Sequence, residues 1–236
     1  MYQNKIVTCI IPSRLSSSRF PNKPLAKING REMVLRVADI AKESKHLDMV
    51  MVATPDDSIA KLVDSNGIPA YITSEHYTCT HRVAEVSQYM KSDYIFNLQG
   101  DEPLTKPEWI DQMIEYGIDN EYDVVQSSRK LEDGEIEDDD VVKMIENNGK
   151  VVHMQRKPDV ICNNITVQLG LYLYSIKAIR DFPNLDMTFV KYWKGLDTIG
   201  FCGKYDVMPY DLKCGKIRAV DRLHHIKEVE WSLQNQ

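Results

Sequence analysis

Two stretches of this sequence carry side chains suited to chemistry on a phosphate. The first, residues 11–25, reads IPSRLSSSRFPNKPL and sets Arg14, Arg19 and Lys23 in a polar loop directly after an apolar run. Arginine offers a fixed fork of donors to phosphate oxygens, and lysine adds a compact charge. Ser16, Ser17 and Ser18 can supply short donors. Pro21 and Pro24 stiffen the loop's exit and lower the ordering cost of binding an anion. Neither a G-x-x-x-x-G-K-[ST] loop nor a G-x-G-x-x-G turn is present. Charge and position alone leave two readings, an anion site or a basic loop facing water.

The second stretch, FNLQGDEPL at 96–104, puts Asp101 just outside a strand, with Gly100 permitting close backbone approach. A hard divalent cation prefers carboxylate oxygens, and Mg²⁺ is commonly held by few carboxylates together with substrate phosphates. A late carboxylate, Asp221 in AVDRL at 219–223, follows a short apolar segment and precedes a helix. Taken singly, Asp101 also suits a turn and Asp221 a helix cap. His224 and His225 are neighbours in sequence, so they do not aim at one centre and read as surface residues. Tyr172, Tyr174, Tyr192 and Trp193 are expected mainly in the core, with a pocket or dimer surface as the other reading.

These residues need strand ends to hold them. Short apolar runs at Lys5–Ile11, Asp48–Ala53, Pro69–Ile72, Tyr94–Leu98 and Tyr122–Gln126 read as strands. Between them lie helical patterns at Arg31–Ser44, Ser58–Ser65, Arg82–Met90 and from Pro107 onward, with Asp56 and Asp57 at the start of the second. Such β-α-β repetition predicts an α/β fold with a mostly parallel sheet covered on both faces, and ligand-binding loops at the strands' carboxyl ends. Leu131–Asp140 has seven acidic residues in ten and reads as a solvated surface loop. Val141–Ile145 and Val151–Met154 flank an Asn-Gly turn as a hairpin, and Val167–Tyr174 is a further strand. Ile176–Arg180, Met187–Trp193 and the segment from Leu223 read as helices, with Tyr205–Tyr210 and Lys216–Val220 extended. Residues 1–236 are expected to form one domain, with 130–200 a small mixed-strand lobe.

A net charge of −6 gives no broad attraction for nucleic acid, and the basic loop lacks interleaved stacking aromatics. The apolar run Ile6–Pro12 is too short to span a bilayer, and no secretory signal pattern opens the chain. Cys9, Cys79, Cys162, Cys202 and Cys214 are scattered without metal-knuckle spacing, and an odd count argues against a complete disulfide framework. A reducing cytoplasm fits best.

In combination these segments resemble the cytidylyltransferases that activate 3-deoxy-manno-octulosonate for lipopolysaccharide assembly. The likeness runs along nearly the whole chain, through IIPSRLSSSRFPNKPLAKINGREM, TSEHYTCTHRVAEV, FNLQGDEPL, DDDVVKMIENNGKVVHMQR and QLGLYLYSIKAI. It implies a doubly wound, nucleotide-diphospho-sugar transferase-like fold, usually a homodimer, whose mixed lobe serves acceptor binding and dimerisation. It also implies use of CTP and Mg²⁺ in a nucleotidyl transfer of the EC 2.7.7 type. By that resemblance Arg14, Arg19 and Lys23 hold the triphosphate, and Arg14, Lys23 and Asp101 carry the catalysis. Asp101 and Asp221 hold the metal, and Thr80, Arg82 and Gln99 flank the nucleotide. His81, Gln99, Arg156, Gln168 and Tyr172 face a small acidic acceptor.

The chain departs from the family pattern on the acceptor side. Where relatives commonly read S-G-T-[DE]-R, this chain has Thr78-Cys79-Thr80-His81-Arg82. His81 therefore reads either as a neutral structural residue or as an acceptor contact. Gln168 replaces a usual histidine, and Val220 and Arg222 replace the usual glycine and threonine around Asp221. The stretch 187–195, MTFVKYWKG, brings Lys191 and Lys194 in place of an acidic helix. The nucleotide end is retained and the recipient end altered. A related sugar acid, an amino-substituted analogue, a phosphonate or phosphorylated small molecule, and a silent nucleotide-binding descendant all remain open.

Overall fold

Strand β1 (Val7–Pro12) is buried at every position, as a strand covered on both faces must be. In this computed structural model, which describes residues 1–157, 164–186 and 196–235, it lies near the middle of a nine-stranded sheet. Cys162 and the expected helix Met187–Trp193, with Lys191, Tyr192, Trp193 and Lys194, lie outside the described residues.

The chain proceeds through a small hairpin, β2 (Lys27–Ile28) and β3 (Arg31–Glu32), into α1 (Met33–Lys42). Next come β4 (Met49–Thr54), α2 (Asp57–Ser65), β5 (Ala70–Ile72), α3 (Cys79–Ser87), β6 (Tyr94–Leu98) and α4 (Pro107–Asp119). The later part adds β7 (Val124–Lys130), β8 (Lys143–Asn147), β9 (Lys150–Gln155), β10 (Ile165–Ser175), α5 (Ile176–Asp181), β11 (Val207–Asp211) and α6 (His225–Gln234). The main sheet has the order β11-β7-β10-β6-β1-β4-β5. β10 runs antiparallel to β6 and β7, while the β1–β4, β1–β6, β4–β5 and β7–β11 pairs are parallel.

Alternation along β1 divides the core in two. Val7, Cys9 and Ile11 pack with α1, α2 and α4 residues such as Val37, Ile59 and Ile114. Ile10 joins Val83, Val86 and Ile179 from α3 and α5 in the second cluster. A third group, Ile28, Met33, Leu104, Val220 and Val229, ties α6 to the hairpin and so fixes the segment that carries Asp221.

Five expectations change. His225, read as a surface residue, is 1% exposed, and its Nδ1 accepts from Asp221 N at 3.1 Å. Strand β7 begins two residues later than read and continues to Lys130, because Ser127, Ser128 and Arg129 are buried despite their polarity. Helix α3 starts at Cys79, where Thr78 Oγ1 accepts from His81 N at 3.2 Å as an N-cap. Lys216–Val220 forms no ladder; it is held by Val220 N donating to the Asp101 carbonyl at 2.9 Å. The reading of Leu131–Asp140 as a solvated loop is corrected. Glu135 is 1% exposed and paired with Arg129, itself 2% exposed, through two contacts of 2.7 Å. Glu135, Asp138 and Asp140 pair with arginines at the cleft, while Glu132, Asp133, Glu137 and Asp139 are exposed as that reading expects. Within 130–200, β10 lies in the main sheet itself, and the β8–β9 hairpin extends from its first half.

Candidate active site

The carboxyl ends of β1 and β6 lie side by side because those strands pair in register from Val7↔Tyr94 to Ile10↔Asn97. Their loops therefore emerge together, and Gly100 lets them touch: a Cβ there would meet the Pro12 carbonyl at 3.1 Å. The loop after β1 is anchored by Ser13 N donating to the Ala53 carbonyl at 2.9 Å and Leu15 N donating to Asp56 Oδ2 at 2.8 Å. Asp56, expected only as a helix starter, thus holds the basic loop in place.

A cleft of about 300 Å³ opens over these strand ends. Arg14, Arg19, Gln99, Asp101, Arg156, Gln168, Tyr172 and Asp221 all line it. At one end Lys23 Nζ stands 2.5 Å from Asp101 Oδ2 and 3.5 Å from Asp221 Oδ1. Two carboxylates from remote parts of the chain thus share one ammonium. Burial alone would lower the Lys23 pKa, but Asp101 and Asp221 outweigh it and hold it above the ordinary value. Arg19 reaches Asp221 Oδ1 at 2.8 Å and Asp140 Oδ1 at 2.7 Å. Arg14 is exposed at the cleft wall.

At the other end, Gln168 Nε2 donates to Tyr172 Oη at 2.8 Å and to Gln126 Oε1 at 3.2 Å, while Gln126 Nε2 donates to the Leu169 carbonyl at 2.9 Å. The register shift between Gln168 and Tyr172 bends β10 here, as a bulge does. Among the described residues, Arg156 Nη1 donates to backbone, the Asp139 carbonyl at 3.0 Å and that of Asp140 at 3.5 Å, and meets no carboxylate.

Of the expected residues, Lys23 meets the cleft through Asp101 and Asp221, and three others lie off its wall. Thr80 is 1% exposed, and its N–H donates to Asp197 Oδ2 at 3.1 Å. His81 sets its ring edge against Phe182 at 4.8 Å between centroids and shares a 2.8 Å contact between Nδ1 and Thr78 Oγ1; burial lowers its pKa. Arg82 is 1% exposed, donates from Nε to Thr73 Oγ1 at 3.2 Å and keeps Nη2 buried without a partner among the described residues. Thr78 and Cys79 form the wall in front of them.

The sequence reading passed over Glu102, although it adjoins Asp101 in the same motif. Glu102 is 5% exposed and accepts from Gly170 N at 2.8 Å. Burial, then the neighbouring Asp101 charge, pushes its carboxyl up to about 8. The roles of Asp140, Arg218 and Arg222 were also missed, though seven acids in ten residues were the available signal.

A family model described as cytidylyltransferase matches residues 8–213. The 3-deoxy-manno-octulosonate cytidylyltransferase of Thermodesulfovibrio yellowstonii is 34% identical over 219 residues, 82% of this chain and 85% of that one. That of Polynucleobacter asymbioticus is 35% identical over 192 residues, 75% of each chain. The chain belongs to the cytidylyltransferase family. Its reaction class is CTP-dependent nucleotidyl transfer, and the resemblance drawn from the basic loop and GDEPL holds along the chain.

Solved structures agree on the fold of this cytidylyltransferase. A CMP:2-keto-3-deoxy-manno-octonic acid synthetase complexed with CTP superposes with a TM-score of 0.88 at 23% identity, covering 98% of this chain and 99% of that one. A cytidylyltransferase from Leptospira borgpetersenii serovar Hardjo-bovis gives 0.70 at 14% identity, covering 99% and 88%. The mixed, mostly parallel sheet with flanking helices is the nucleotidyltransferase architecture. No helix among the described residues is long and apolar enough to cross a membrane.

Proposed function

We propose that this cytidylyltransferase moves CMP from CTP to a small sugar acid of the 3-deoxy-manno-octulosonate type, with Mg²⁺, in the cleft between Lys23 and Tyr172. The observation that carries the reading is the meeting of Asp101 and Asp221 at one cationic position. Their oxygens suit a hard cation, and an ammonium already stands between them. Two carboxylates completed by substrate phosphates form a ligand set that Mg²⁺ accepts. When bound, the ion supplies positive charge at the α-phosphate and acidifies the acceptor hydroxyl.

The acceptor oxygen attacks the α-phosphorus in line, and the bond to the β-phosphate breaks. Pyrophosphate departs, and the hydroxyl proton passes to solvent. Arg14, Arg19 and Lys23 face the β- and γ-phosphates and offset the charge that grows on the leaving group. Gln99, at the junction of the two ends, orients both substrates. Arg82 and Thr80 stand behind the Thr78–Cys79 wall and position it against the nucleotide. Arg156, which lines the cleft, takes the acceptor's acid group, while Gln168 and Tyr172 present polar atoms to its hydroxyls. His81 acts on the acceptor wall through Thr78 and Cys79. The names of the relatives support an octulosonate acceptor. Homodimerisation and a cytoplasmic setting accompany this reading, and sedimentation of the purified chain checks the first.

Pyrophosphate release measured across CTP, UTP, ATP and GTP with a panel of acceptors tests the assignment. CTP with an octulosonate should turn over fastest. Preference for a phosphonate or a phosphorylated alcohol would move the acceptor class, and indifference among nucleotides would overturn the cytidylyl assignment.

A further inference from the structure

Asp140 sits where two arginines converge. Its Oδ1 accepts from Arg19 Nη1 at 2.7 Å, its Oδ2 from Arg222 Nε at 2.9 Å, and Oδ1 again from Arg222 Nη2 at 3.4 Å. The three residues come from separate segments: the loop after β1, the acidic run, and the turn after Asp221. Arg19, Asp140 and Asp221 all face the cleft. Two guanidinium forks around one oxyanion form the arrangement that binds a phosphate, and here an internal carboxylate fills it.

We infer that Asp140 is a displaceable stand-in for a substrate phosphate, and that Arg19 and Arg222 together clamp the terminal phosphates of the nucleotide once Asp140 leaves. This rests on the proposed orientation of the triphosphate toward Arg19. The acidic loop is built for such an exchange. Asp138 keeps it anchored: Arg218 Nη2 donates to Asp138 Oδ2 at 2.9 Å, and Lys143 Nζ donates to the Asp138 carbonyl at 2.6 Å. Asp140 can therefore swing away without releasing its loop. Both arginines are partly open to water, with side chains 38% and 49% exposed, so they can turn to an incoming anion. Neutralising both cations internally also offsets their mutual repulsion beside the cleft, where Arg222 follows the lining residue Asp221 in sequence.

A stand-in and a simple brace respond to mutation with opposite signs. If Asp140 competes with phosphate, Asp140→Asn strengthens anion binding; if it merely braces the arginines, the same change weakens it. Calorimetric titration of the full chain with inorganic tripolyphosphate, and separately with CTP, reads the difference. Asp140→Asn and Asp140→Ser should each bind tripolyphosphate about threefold to fivefold more tightly, the scale of a partly exposed ion pair. Arg222→Gln should bind it about fivefold more weakly, with Arg222→Lys between it and wild type. Unchanged or weaker binding in the folded Asp140 variants, or unchanged binding in Arg222→Gln, overturns the inference. If only one Asp140 variant folds, that variant decides. Tripolyphosphate binding that follows this pattern while CTP shows no preference over other nucleotides would uphold the clamp and remove the cytidylyl reading instead.

Discussion

Glu102 shows how much one buried side chain can depend on a neighbour. Its carboxyl lies beside Asp101 and against the backbone of Gly170, and burial keeps it protonated up to about pH 8. The folded state thus holds a proton that the unfolded chain releases near the ordinary glutamate value. Between those two pKa values the native state binds more protons, so stability falls as pH rises. Urea titrations of metal-free protein should show wild type losing a few kcal/mol across that window, roughly in proportion to the shift. Glu102→Gln, which retains the acceptor for Gly170 N–H, should lack that slope. A parallel pH dependence in both proteins would show that Glu102 is ionised in the fold. At this scale the basic-loop cations and the two acids that meet at Lys23 were legible, because charge and motif announce them. Asp140 and Glu135 were not, since an acidic run looks solvated until its arginine partners, remote in sequence, are placed.

Among the elements, β10 is the one on which the site turns. It enters antiparallel between β6 and β7, and Gly170 lets it pass close to the GDEP loop. A Cβ at that position would meet Glu102 Oε1 at 2.6 Å and Glu102 Cγ at 2.7 Å. Glu102 is too enclosed to move freely, so Gly170→Ala should destabilise the protein by about 1–3 kcal/mol. Chemical denaturation should show this as a lower midpoint with an unchanged slope. Wild-type stability in that variant would mean the loop gives way easily. The strand itself was readable from its apolar run, and so were β1, β4 and β6. Its antiparallel place in the main sheet was not, because alternation reports which face a residue occupies and says nothing of the neighbouring strand. The start of α3 was missed for a local reason: the Thr78 cap outweighs the modest helix propensity of Cys79, Thr80 and His81.

Across the whole molecule, sheet order brings the loop after β1, the loop after β6 and the segment before α6 to one rim. Only the fold could show that Asp101 and Asp221 meet; their types and motifs showed that they were worth following. The central claim is that these two carboxylates act as one unit on a cation in CTP-dependent transfer. Pyrophosphate release with CTP and an octulosonate acceptor, followed over a Mg²⁺ titration in wild type, Asp101→Asn, Asp221→Asn and the double variant, tests it most directly. Each single change should lower turnover about a thousandfold with the fold intact, and the double should be little worse than either. Near-normal turnover in either single variant at saturating Mg²⁺ would contradict the account.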